Sequence, residues 1–273
     1  MDSEDTAFRR DTAVTPRGDG LYDVEISTQW RAGRGPHGGY LAAMITRALM
    51  ATVADERRDP RSLTVHYARA PQPGAAQIRT TVERAGRSLS TLSARLEQGG
   101  EVQALALAAF SPPWAGRPEL DDRPIPTVAG PEPRPTEPLP ADDGRPRFVQ
   151  HMVMQPRFGP FPFTGSDEPM VTGGWLGLFE PQALDPPSVA LFSDAWWSPP
   201  FGRLRELATS PTVDLTIHFR RRLTNPDARA LYLARFETGL VHDGFFENHA
   251  SIWSVDGKLL AHARQLALLL PVR

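Results

Sequence analysis

Apolar Tyr22, Val24 and Ile26 alternate with polar Asp23 and Glu25 along residues 21–26, the period of a half-buried strand. Glycine and proline break the next stretch, from Trp30 to Gly39, and then the period changes. Tyr40, Met44, Ile45, Ala48, Leu49 and Val53 recur at helical spacing until Asp55 to Pro60 ends the pattern, which predicts a largely buried helix. Four strand-like runs follow at 62–70, 76–84, 88–98 and 101–110, the last two joined at Gly99-Gly100. Eleven prolines between Pro112 and Pro146 are too many for a core segment and predict an extended linker. After it the order restarts. Strands are predicted at 149–157 and 173–179, then a helix at 189–208 that Pro199-Pro200 must kink or shorten. Strands at 213–222, 229–240, 245–255 and 258–270 complete it, the last hairpin turning at Asp256-Gly257.

The wording restarts with the order. Leu63-Thr64-Val65-His66-Tyr67 returns 152 positions later as Leu215-Thr216-Ile217-His218-Phe219. The segment from Gly100 to Leu107 is echoed from Gly257 to Arg264, at an offset of 157. Two echoes in the same order imply two tandem copies of one domain, since the period is far too long for a solenoid. The copies are placed at 21–111 and 148–273, with an N-terminal tail at 1–20 and a Pro-rich linker at 112–147. A helix wrapped by a curved antiparallel sheet, twice in one chain, is an α+β double hot-dog.

Composition narrows the partners. The 273 residues, 40% of them apolar, suffice for a core in each copy. A formal charge of −2 gives no broad basic field for nucleic acid or an anionic membrane, so a small molecule is the expected partner. With no cysteine there is no disulfide, thiolate metal site or cysteine nucleophile. The acidic Met1-Asp2-Ser3-Glu4-Asp5 start has no apolar core of a signal peptide, and no run is long enough to span a bilayer, so a cytoplasmic protein is expected. No histidine has metal-ligand spacing, and neither metal nor cofactor is expected.

His37-Gly38-Gly39-Tyr40 opening a helix, residues 62–71, and Gly86-Arg87-Ser88 leading into Ser93-Ala94-Arg95 resemble the first domain of the acyl-CoA thioesterase II family. The likeness covers about 21–110 and 148–270. That family carries an Asp, a Thr and a Gln in its second copy. Ser193-Asp194 opening the second helix, Pro211-Thr212-Val213-Asp214 at a strand entry and Arg264-Gln265 in the last strand resemble the three motifs. The resemblance therefore implies Asp194, Thr212 and Gln265 as catalytic. Trp196-Trp197 and Pro199-Pro200 stand where the family has a less bulky run, which implies a differently shaped acyl pocket.

Thioester hydrolysis needs a positioned water, a proton acceptor and donors for the oxyanion. Asp194 can take the proton, Thr212 and Gln265 can hold the same water, and backbone N–H near Gly39 and Tyr40 can face the oxyanion, glycine allowing close approach. Each residue has a plainer reading: Asp194 as a helix N-cap, Thr212 as a strand opener, Gln265 as a satisfied buried amide. Gln265 stands among Ala263, Leu266, Ala267 and Leu268, and its counterpart at the 157 offset is Ala108, so one working site per chain is expected. His66 and His218 share one place in the two copies and suit a structural role such as a cross-strand hydrogen bond. His37 reads as a loop residue. Arg220-Arg221-Arg222 could meet coenzyme A phosphates but suits a solvated strand end.

The leading function is hydrolysis of acyl-CoA to free acid and coenzyme A, with Gly38, Gly39, Tyr40, Trp196 and Trp197 against the substrate. One alternative keeps the reaction and moves the acyl or polyketide chain to an acyl carrier protein. A hydratase would want an Asp and His pair, and Asp194 has no histidine beside it in sequence. A non-catalytic acyl-binding protein, with Phe192, Trp196, Trp197 and Phe201 lining the tunnel, is the reading from another class. A dimer or larger homo-oligomer is expected.

Overall fold

A computed structural model describes residues 5–33, 35–114, 116–140, 145–272. The labelled strands are β1 (Thr15–Gly18), β2 (Leu21–Ile26), β3 (Asp59–Tyr67), β4 (Gly74–Arg84), β5 (Ser90–Gln98), β6 (Glu101–Ser111), β7 (Met152–Phe158), β8 (Val171–Leu178), β9 (Thr212–Phe219), β10 (Tyr232–Glu237), β11 (Phe245–Trp253) and β12 (Leu259–Leu268). The helices are α1 (Ala7–Asp11), α2 (Gly38–Val53) and α3 (Pro186–Phe192). The twelve strands form one antiparallel sheet in the order β1-β2-β4-β5-β6-β3-β9-β12-β11-β10-β8-β7. That order reads the same from either end once each strand is replaced by its repeat counterpart.

The halves meet at β3 and β9, where Leu63 pairs with Ile217, Thr64 with Thr216 and Val65 with Leu215. The offset of 152 maps Thr64 onto Thr216, so this pair lies on the internal two-fold axis. Their hydroxyls are 3.1 Å apart. The Leu-Thr-Val/Ile-His motif is thus repeated because it pairs with itself, Leu63, Val65, Leu215 and Ile217 facing the core and the threonines the other side.

Residues 5–18, set apart in sequence as part of a tail, belong to the folded body. Phe8 of α1 packs edge-on against Trp30 at 5.4 Å, and Thr6 donates to Gln182 across the copies at 2.6 Å. The linker is extended but docked. Ile125 and Val128 cover Val153, Trp175, Leu231 and Leu233 of the second copy. Glu132 N–H donates to the Gln155 side chain, whose amide donates back to Glu132 C=O, at 2.8 and 3.0 Å. The linker thereby shields edge strand β7 from pairing.

α2 is buried on nearly every side: Tyr40, Ala42, Ala43, Met44, Ile45, Ala48 and Leu49 have no exposed surface. It packs against α3 and under β3 to β6. The second helix departs from the sequence reading. It begins at Pro186, after Asp185 accepts the Ser188 N–H as N-cap, with prolines in the first turn where their missing N–H costs nothing. It ends at Phe192, and Pro199-Pro200 open a separate 3₁₀ turn, Pro199–Arg203. Aromatic residues that look like a continuing apolar stripe, Trp196 among them, are buried from irregular chain instead.

Candidate active site

Asp194 does not open a helix. It follows Ser193, the C-cap of α3, and points at the start of α2 in the other copy. Gly39 N–H donates to Asp194 Oδ2 at 2.8 Å. The carboxylate therefore does cap a helix, but the first copy's, where unpaired N–H groups and the helix dipole favour negative charge. This explains the glycines: a Cβ on Gly38 would stand 2.8 Å from Asp194 Oδ2, and one on Gly39 would stand 2.7 Å from Leu191 O and 3.1 Å from Asp194 Cβ.

His37 belongs here too. Only 4% exposed, it is the N-cap of α2, its Nδ1 accepting the Tyr40 N–H at 3.3 Å. That leaves the proton on Nε2, which donates to Asp194 backbone O at 2.9 Å and lies 3.5 Å from Oδ2. Folding thus supplies the histidine that sequence adjacency lacked, yet both of its ring nitrogens are engaged. Tyr67 donates from its hydroxyl to Gly38 O at 2.8 Å. Burial, and next the charge of Asp194, push its pKa well above the ordinary phenol value, so it remains a neutral donor.

The other carboxylate oxygen meets Gln265, whose Nε2 donates to Asp194 Oδ1 at 2.8 Å and to Thr212 Oγ1 at 2.5 Å. Its Oε1 accepts from Asn248 Nδ2 at 3.2 Å. A bulge between Thr212 and Asp214 gives Thr212, rather than Val213, the register place opposite Ala267. Ala267 shares a face with Gln265 in β12, so the bulge turns the threonine onto that face. Asp194, Thr212 and Gln265 are therefore brought together, with both amide hydrogens of Gln265 spent on its two neighbours rather than on a water. Asp194 keeps a small opening to solvent, 12% of its side chain.

Other residues singled out in sequence fall elsewhere. The Tyr40 side chain points away from Asp194: its hydroxyl donates to Asp11 O at 2.7 Å and accepts the Ser27 N–H, and its ring stacks on Trp30. Nor are the backbone donors free, since Gly39 N–H is taken by Asp194 and Tyr40 N–H by His37. Trp196 and Trp197, just past Asp194 in the chain, pack on one another at 4.9 Å, Trp196 buried in the core and Trp197 stacking on exposed Phe161 at 5.7 Å. Arg221 pairs with Glu119 and Asp121, and Arg222 with Asp59. His66 and His218 are exposed, and His218 stands against His262 at 5.0 Å. A groove of about 1170 Å³ runs beside β2 and touches none of the Asp194 cluster.

Three site residues escaped the sequence reading: His37, Tyr67 and Asn248. A signal for two was present in the repeat. Tyr67 is matched by Phe219, without the hydroxyl, and Asn248 by Leu92, which pairs with Ala108 as Asn248 pairs with Gln265.

Comparison with known proteins agrees with the two-copy fold. The model of the acyl-CoA thioesterase N-terminal domain matches residues 26–111, and that of the C-terminal domain matches 130–269. The chain belongs to the acyl-CoA thioesterase family. Among solved structures, a hot-dog protein of unknown function from Alicyclobacillus acidocaldarius superposes with a TM-score of 0.82 at 25% identity, covering 98% of this chain and 100% of that one. A candidate thioesterase II from Thermobifida fusca gives 0.81 at 25%, covering 97% of each chain. The acyl-CoA thioesterase II TesB2 of Mycobacterium marinum shares the fold at 0.75 and 20%, covering 98% of each chain. An uncharacterised Mycobacterium tuberculosis protein is 26% identical over 105 residues, 37% of this chain and 36% of the relative. The match to such curated relatives thus spans about a third of their length. In this chain the first copy's helix start and the second copy's polar strands stand against one another, and the Asp194 cluster sits at that junction.

Proposed function

We propose that the chain hydrolyses an acyl-CoA thioester with water activated by Asp194. The observation that carries this reading is the single Gln265 amide that bridges Asp194 and Thr212 while Gly39 N–H holds the second carboxylate oxygen. A carboxylate so held has a fixed direction and, among the described residues, no lysine or arginine paired with it, as suits a general base. Thr212 accepts from Gln265, so its own proton is free to be donated to a water oxygen. Asp194 accepts one hydrogen of that water. The water's remaining lone pair attacks the thioester carbon, its proton passes to Asp194, and the C–S bond breaks to release the acid and coenzyme A, whose sulfur takes the proton back. No covalent acyl-enzyme is formed.

A hydratase is disfavoured by His37, whose two nitrogens are held by Tyr40 N–H and Asp194 O. Of the two tryptophans, the partly exposed Trp197, stacked on Phe161, is assigned to the acyl chain. The test is thiol release from short, long, branched and aromatic acyl-CoAs by the wild type and by Asp194→Asn, Thr212→Val and Gln265→Ala. Turnover is expected to fall about a hundredfold in Asp194→Asn and at least about tenfold in the other two. A wild type active on some member, with Asp194→Asn within about threefold of it, would refute the role of Asp194. A wild type inert on every acyl-CoA but active on an acyl carrier protein thioester would move the substrate to the carrier.

A further inference from the structure

The polar row that holds Asp194 does not end at Gln265. Asn248 is 5% exposed and donates to Gln265 Oε1, while its own buried Oδ1 has no partner among the described residues. Thr238, 7% exposed, has a buried hydroxyl that likewise has none among them. It follows Glu237, which pairs with His249, so the continuing register sets it opposite Asn248. The same places in the first copy are apolar: Leu92 pairs with Ala108 on one side and Val82 on the other. Thr212 itself is matched by Pro60, since Pro60 pairs with Phe110 across the equivalent bulge as Thr212 pairs with Ala267.

Burying an amide with an unsatisfied oxygen costs free energy, and leucine fills the equivalent place in the sister copy. Packing therefore does not account for Asn248. What leucine cannot do is donate. A glutamine amide has nearly the same shape either way round, and flipped it would set Oε1 against the Asp194 carboxylate. A donor on Oε1 from behind forbids that orientation.

We propose that Asn248 is a positioning residue that fixes the amide orientation of Gln265, and through it the placement of Asp194 and Thr212. Thr238 is the next polar position of the row by register. The inference rests on the proposed roles of Asp194, Thr212 and Gln265.

Two substitutions test it. Asn248→Leu installs the first copy's residue and removes the donor; kcat for thiol release is expected to fall about tenfold to a hundredfold, KM to stay within about threefold, and the unfolding temperature not to drop. Asn248→Asp is isosteric. Its protonated carboxyl donates to Gln265 Oε1 as the amide does, whereas the ionised form only accepts and draws Nε2 away from Asp194. Its kcat relative to wild type is therefore expected to fall at least about tenfold as pH is raised from about 5 to 9. In parallel, the nitrogen-15 signals of the Gln265 side-chain amide should move in Asn248→Leu and should titrate in Asn248→Asp. Variants within about twofold of wild type at every pH, or an Asn248→Asp deficit independent of pH, would overturn the proposal. If the wild type hydrolyses no thioester, the functional reading fails separately, and Gln265 amide signals unchanged in Asn248→Leu would still overturn the orienting role.

Discussion

Asp194 is held by groups that give it direction without cancelling its charge: one backbone N–H, one amide N–H and a buried histidine on its carbonyl. The same closeness makes Gly38 a sensitive position. Its backbone is helical, so alanine is acceptable to α2 and even favoured by propensity, but the new Cβ would stand 2.8 Å from Asp194 Oδ2. Gly38→Ala is expected to lower kcat at least about tenfold while the unfolding temperature changes by no more than about 3 °C. Undiminished turnover would show that the carboxylate need not stay where Gly39 and Gln265 hold it. His151 makes a separate prediction. It stacks on Trp30 at 4.5 Å with a buried Nε2 that has no partner among the described residues, and burial lowers its pKa below the ordinary imidazole value of 6.5, partly offset by Asp11 and Glu180. A depressed histidine is neutral in the fold and takes a proton on unfolding, so its contribution is complete above the unfolded value and lost as pH falls below about 6.5. His151→Gln should flatten the fall of unfolding temperature between about pH 7 and 5. An unchanged slope would exclude His151 as its source.

At the scale of elements, most strands were legible because one face of each is buried and the alternation is regular. The second helix was not. Trp196 and Trp197 carry apolar character past the true end of α3 at Phe192, and periodicity cannot tell a helical stripe from aromatics buried by irregular chain. The boundary was set by Asp185 with Pro186-Pro187 at the start, and by the turn through Ser193 that aims Asp194 across the molecule. The bulge at Val213 was equally silent, although Thr212 depends on it. Gln265 was legible for a specific reason: the repeat supplied an internal reference, and a polar residue opposite an alanine in the sister copy is visible without any structure. The same comparison would have found Asn248 against Leu92, had the register of that strand pair been known. Tyr40 misled because its neighbours Gly38 and Gly39 do meet Asp194, while one further residue along a helix turns a side chain toward a different wall.

At the scale of the whole molecule, the Asp194 cluster is assembled from both copies. The first copy contributes the N-terminus of α2 with His37, Gly39 and Tyr67; the second contributes Asp194, Thr212, Gln265 and Asn248. Neither half contains a complete constellation. What keeps the halves together is continuous: the β3 to β9 ladder, the packing of α2 on α3 and the bond from Thr6 to Gln182. The covalent link between them is therefore dispensable where it is most exposed, near Arg117 and Pro118, ahead of the docked stretch at Ile125 and Val128. Residues 1–117 and 118–273, co-expressed as separate chains, are expected to copurify and to release thiol within about tenfold of the intact protein, the cost being the lost effective concentration of a tether. The second fragment alone should show no turnover, since Asp194 would lack the helix start that orients it. Thiol release by that fragment, lost again on Asp194→Asn, would show instead that the second copy builds its site unaided and that α2 serves only the fold.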